Sequence, residues 1–205
     1  RVLGIFALDQ TFNEGTEAAL AQANMPAFQA QAPRYDDMMK VALRILKKSP
    51  EGYLLVGNEE GTDNLSGDNN AIATLDAAAG ADRAIGIAMA EAEKNPELTV
   101  IVASDSDNGG MNASGDDDLF NGDTLAAVTE NGSPVDGNNG KPFIAAADAR
   151  GVRLPFVVTW ASTSDSSGGT VARGVGPGAE IIHGTVDSTD IYRALYLGLF
   201  GKKPD

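Results

Sequence analysis

Carboxylates, amides and hydroxyls crowd into residues 57–70, where Asn58, Glu59, Glu60, Asp63 and Asp68 lie between an apolar run and a helical pattern. Such side chains are hard oxygen donors, suited to Mg²⁺, Ca²⁺ or Mn²⁺. The same composition also makes a solvated turn with a helix cap, and spacing alone leaves both readings open. Residues 104–116 repeat the theme. Asp105 and Asp107 stand at alternate positions, with Gly110 sixth and Asp116 twelfth, a partial match to an EF-hand loop. Gly109 at the fifth position, Asp rather than Glu at the twelfth and a preceding strand argue against that motif. As a metal-facing loop at a strand end the segment fits better. Residues 162–169 form a Ser/Gly turn carrying Asp165. His183, with no second His and no Cys to join it, reads as a packed or capping residue. No nucleophile-elbow spacing supports a Ser-His-Asp triad.

Those loops need elements to hold them. Buried apolar runs predict strands at 2–7, 53–56, 98–103 and 155–160. Helical periodicity predicts a helix over 35–48 with Met38, Val41, Ala42 and Ile45 on one face. A second runs over 71–95, stopped by Pro96, with Leu75, Ile85 and Met89 on one face. A third begins near Ser188. Strands alternating with helices imply an α/β fold, a central mostly parallel sheet with helices on both faces. In such sheets ligands bind beyond the carboxyl ends of strands, where the loops after Val56 and Ala103 fall. Residues 104–142 are expected to be mostly a long functional surface loop.

Composition narrows the classes. The 205 residues include no Cys and one His, which excludes a disulfide scaffold, a thiol nucleophile and any site built on several imidazoles. The formal net charge of −14, from 15 basic and 29 acidic residues, argues against binding nucleic acid or an anionic membrane. The longest apolar stretch near the start, residues 2–8, is too short for a membrane span and lacks the shape of a signal peptide. The chain opens on Arg1, as a processed or partial product would.

The order of the pieces resembles the C-terminal part of an alkaline phosphatase, over nearly all of residues 1–205. The segment Tyr35-Asp36-Asp37-Met38-Met39-Lys40-Val41-Ala42-Leu43 resembles the helix after that half's first strand. Residues 53–63 resemble the strand and first metal loop. Ile101-Val102-Ala103-Ser104-Asp105-Ser106-Asp107-Asn108-Gly109-Gly110 is similar to the second metal loop. Gly176-Pro177-Gly178-Ala179-Glu180 and Thr189-Asp190-Ile191-Tyr192 resemble the closing strand, turn and helix.

The resemblance implies a metal-dependent phosphomonoesterase with a Ser or Thr nucleophile beside two zinc ions and usually a magnesium. Carried over position by position, Asp63 and Asp105 fall on metal aspartates. Ser106 and Asp165 replace histidines, Gly67 replaces another, and Asn58 replaces a magnesium glutamate, with Glu59 beside it. The metal set is therefore Asn58, Glu59, Asp63, Asp105, Ser106 and Asp165. It is all oxygen, so the expected cofactor is a divalent cation, Mg²⁺ or Ca²⁺ ahead of Zn²⁺. The family's nucleophile and phosphate-binding Arg lie in an N-terminal half with no counterpart here, so no catalytic residue is assigned. Expected partners are a phosphate monoester or phosphate and a second chain carrying that half, with room for a homo-oligomer. The expected location is periplasmic or extracellular. The alternative is a non-catalytic cation-binding or structural relative that kept the fold and lost the zinc site.

Overall fold

Thr16, Asn70 and Asp187 each stand where a helix must satisfy its free N–H groups, and each does so with its side-chain oxygen. The computed structural model describes residues 10–204. Its helices are α1 (Glu17–Ala23), α2 (Tyr35–Leu46), α3 (Gly61–Gly67), α4 (Ala71–Ala92) and α5 (Ser188–Phe200). Its strands are β1 (Val100–Val102), β2 (Asp107–Asn108), β3 (Asn112–Ser114), β4 (Phe120–Asn121) and β5 (Thr124–Leu125). They continue with β6 (Val135–Asp136), β7 (Phe143–Ile144), β8 (Pro155–Thr159), β9 (Asp165–Ser166) and β10 (Arg173–Val175). Among the described residues no helix is long and apolar enough to cross a membrane.

The chain divides into two units. Unit one comprises residues 10–34, 58–79 and 107–167. Its largest sheet is four-stranded, with β3, β6 and β7 all pairing antiparallel to β8. Fully buried Val157, Val158 and Trp160 come from β8 and the residue just after it. Trp160 and Val158 pack with Ala71, Met111 and Phe143, and Phe143 stacks on Phe156 at 5.2 Å between centroids. A second cluster joins Phe12, Leu65, Ala73 and Ala77 to Ala27 and Phe28. Arg34 lies 3.5 Å over the Phe28 ring and pairs with Asp76 at 2.9 Å.

Unit two comprises residues 35–57, 80–106 and 168–204. Here β1 pairs antiparallel with β10, Val100 opposite Val175. A Cβ on Gly178, where φ is +86°, would meet the Ala194 carbonyl oxygen at 2.5 Å, so α5 sits against a turn that only glycine can make. In α2, Lys40 bridges Asp36 at 3.0 Å and Asp37 at 2.8 Å, and its hydrogen bond holds the Asp36 carboxyl below the usual range. At α5, Asp187 accepts from the Thr189 N–H while Asp190 accepts from the Asp187 N–H, a reciprocal cap.

The Thr189 bonds depress the Asp187 carboxyl, so its contribution is present above its unfolded pKa and is lost as pH falls through the folded one. Asp187→Ala should lower the thermal midpoint at pH 7, with the gap from the parent closing at strongly acid pH. Far-UV circular dichroism melts at both pH values check this.

Several expectations change. The described strands form no parallel sheet; every ladder is antiparallel. The expected strand at 2–7 lies outside the described residues. Residues 53–56 form no strand, and Leu54 and Val56 are exposed. The strands expected at 98–103 and 155–160 do form, but in separate sheets. Much of 104–142, expected as open loop, folds back as short strands, β3 and β6 flanking β8. The buried residues of α4 are small, including Ala71, Ala73, Ala77 and Ala84, whereas Leu75 is 43% exposed. Met38 and Val41 are likewise exposed, and α2 buries Asp36 and Leu43 instead.

Candidate functional site

Residues 57–70, open to both a metal-loop and a cap reading, contain the helix α3. Glu59 builds its N-terminus, accepting the Gly61 N–H at 3.1 Å on one oxygen and the Thr62 N–H at 2.8 Å on the other. Asn58 donates to Glu60 at 2.9 Å. One turn in, half-buried Asp63 accepts from the Asn108 side-chain amide at 2.8 Å. Asn64 donates to Gln10 and Glu14, and the Asp68 carboxylate accepts the Gly15 N–H.

The loop facing Asp63 is shaped by the β2–β9 pair, which sets Asn108 opposite Asp165. Gly109 follows at φ +73°, and a Cβ there would meet the Ser66 carbonyl oxygen at 2.5 Å and the Trp160 ring at 2.9 Å. Only glycine lets the end of α3 close onto this loop. Asn69 fastens the other side, donating to the Ser162 carbonyl at 2.8 Å. A Cβ on Gly67 would lie 3.4 Å from the Asn108 amide and 3.7 Å from the Thr163 carbonyl oxygen. Asp63, Gly67, Asn108 and Thr163 thus converge, and the exposed Asp165 lies on the strand beside them.

Asp105 and Ser106 belong to unit two. Asp105 is exposed and accepts the Ser106 N–H at 2.9 Å. Ser104 donates to the Ser106 carbonyl at 2.6 Å, and Thr170 donates to the Ser104 carbonyl at 2.7 Å. Of the six residues read as metal ligands, Asn58, Glu59, Asp63 and Asp165 share unit one. Asp63 and the strand carrying Asp165 both meet Asn108, whereas Glu59 is committed to capping. Among the described residues no three His, Asp or Glu side chains gather closely enough to hold a metal ion. His183 is exposed rather than packed.

Asn108 is the residue that sequence reading passed over. Its Nδ2 serves Asp63, while its Oδ1 is buried without a partner. Such an oxygen needs a donor or a cation to offset its lost hydration. Like Asp63 and the Thr163 carbonyl near Gly67, it offers oxygen and nothing softer. By type such donors suit Mg²⁺ or Ca²⁺ better than Zn²⁺, which favours nitrogen and sulfur. The spacing signal was faint: an Asn directly before a Gly-Gly pair, which also describes an ordinary turn.

A family model described as alkaline phosphatase matches residues 2–197. The fold is similar to a solved structure of TAB5 alkaline phosphatase, a histidine-to-aspartate mutant with Mg bound in its M3 site. The TM-score is 0.60 at 16% identity, covering 93% of this chain and 51% of that one. The chain therefore spans about half the length of that structure. No curated protein matches the chain.

Proposed function

Because the chain belongs to the alkaline phosphatase family, we propose that it forms the C-terminal, metal-loop portion of a phosphomonoester hydrolase that works with Mg²⁺ or Ca²⁺ in preference to Zn²⁺. The observation that carries this reading is the meeting of Asp63 with Asn108, whose buried Oδ1 has no partner, in a chain matched to the family from residue 2 to 197. The magnesium bound in the M3 site of the TAB5 alkaline phosphatase mutant supports the choice of ion. When bound, a divalent cation activates a nucleophile and stabilises a leaving oxygen. The chain's own residues do the holding. Asp63 would present its carboxylate, kept in place by Asn108, with Asp165 on the neighbouring strand. Asp105 and Ser106, and Asn58 with Glu59, are the remaining candidate ligands. Glu59 would act by keeping α3, and so Asp63, in position.

The nucleophile and the phosphate-binding cation would come from the half of the fold that this chain does not span, on the same polypeptide or on a partner. The substrate class is a phosphate monoester, and the proposed place of action is periplasmic or extracellular. A second reading, a cation-binding or structural relative without turnover, is favoured by the absence of every imidazole from the carried-over ligand set. Inorganic phosphate separates them. With Mg²⁺ or Ca²⁺ present it should raise the thermal midpoint further than the cation alone, because a ligand that binds only the folded state stabilises it. Stabilisation by cation with no further effect of phosphate would favour the second reading.

A further inference from the structure

Glu17 opens α1 and projects one oxygen into a place with no donor. Its Oε1 accepts the Asn139 N–H at 2.6 Å, but its Oε2 is buried and unpartnered. Across from it, on β6, both oxygens of Asp136 are engaged. Oδ2 accepts the Ala71 N–H at 2.7 Å, at the start of α4, and Oδ1 accepts the Gly137 N–H at 2.8 Å. Burial pushes the Asp136 carboxyl above its ordinary range, opposed by the Ala71 and Gly137 N–H bonds, which leave both of its oxygens matched when ionised. An ionised Glu17 would set a second negative charge beside it with one oxygen dry and unmatched. As a neutral acid, Glu17 carries a donor there instead.

We propose that the unpartnered Oε2 of Glu17 is where the Glu17–Asp136 pair carries its proton, and that loss of this proton loosens a latch fixing α1 and the 137–141 turn to the corner between α3 and α4. The corner is tied to the start of α1 by further bonds. Asp68 accepts the Gly15 N–H, and Asn70 donates to the Gly15 carbonyl at 3.0 Å. Other charges nearby are already committed. Lys141, in the turn, pairs with Asp123 at 2.8 Å, and Glu14 accepts from Asn64 at 2.7 Å. Asp136 is thus the acidic group that bears on Glu17. Burial pushes the Glu17 carboxyl above its ordinary range, and the Asp136 charge adds to the effect. The stabilisation is full below the unfolded pKa and is lost as pH rises through the folded one.

Glu17→Gln keeps the acceptor and fixes a donor at the second position, so it imitates the neutral acid at every pH. Thermal midpoints of parent and variant are compared from pH 5 to pH 9. The parent should lose roughly 2–4 °C more than the variant over that range. Curves that stay parallel would overturn the proposal. In the parent protein, ¹³C titration of the Glu17 carboxyl should show a midpoint clearly above the ordinary glutamate range. An ordinary midpoint would also overturn it, whether or not the variant folds.

Discussion

Asp63→Ala is expected to reduce cation-dependent hydrolysis of a phosphomonoester by roughly 100-fold or more, since groups that merely support a ligand already cost 10–100-fold when removed. Asp63 combines half-burial, a partner that fixes its carboxylate and a place one turn inside α3, so its loss removes the one carboxylate bonded to Asn108. Asp105→Ala should show a loss of the same order, because the family resemblance puts it on the other metal aspartate. Asn108→Ala should act more mildly, raising the cation concentration needed by about 10-fold. Steady-state rates against Mg²⁺ and Ca²⁺ concentration check all of these. Unchanged rates in both aspartate variants would end the assignment of ligands by resemblance.

Trp160→Ala is expected to cost about 3–5 kcal/mol of folding stability, the range for removing a buried aromatic side chain. Trp160 is 1% exposed and packs among Ala71, Val158, Met111 and Phe143, and its ring lies under Gly109. A domain's whole stability is about 5–15 kcal/mol, so this loss takes a large share. Trp160→Phe should cost less, because the indole Nε1 has no acceptor and its removal sacrifices no hydrogen bond. Urea midpoints measure both changes. Equal losses in the two variants would show that ring size matters less than this packing implies.

Much of the helical framework was legible because it rests on local signals. Pro33 ahead of Tyr35, Pro96 after the long helix and Asp190 just past Ser188 are written within a few residues of the ends they mark. What escaped depended on distant partners. Asn58, Glu59 and Asp63 read as loop donors, yet α3 forms because Glu59 caps it and Leu65 finds Phe12 and Ala73. Leu75 looked like a core residue, but the alanines of α4 take the buried positions, Ala71 beside Val158 and Trp160, and Ala73 and Ala77 beside Phe12 and Leu65. Likewise, the apolar run at 98–103 announced a strand without revealing its neighbour. Its antiparallel partner, β10, is three residues long with Gly174 at its centre, too short to announce a strand by pattern. Asp63 and Asp105 were singled out by the family resemblance, whereas Asn108 could be found only once β2 and β9 were paired.

Phosphate release from a chromogenic phosphomonoester, followed with added Mg²⁺, Ca²⁺ or Zn²⁺ after chelator treatment of the natural full-length protein, decides whether it is a hydrolase and which ion it uses. Turnover restored by Mg²⁺ or Ca²⁺, and restored less well by Zn²⁺, is the expected result. Failure of all these ions to support turnover would contradict the hydrolase reading, and a clear preference for Zn²⁺ would contradict the oxygen-only site built around Asp63 and Asn108.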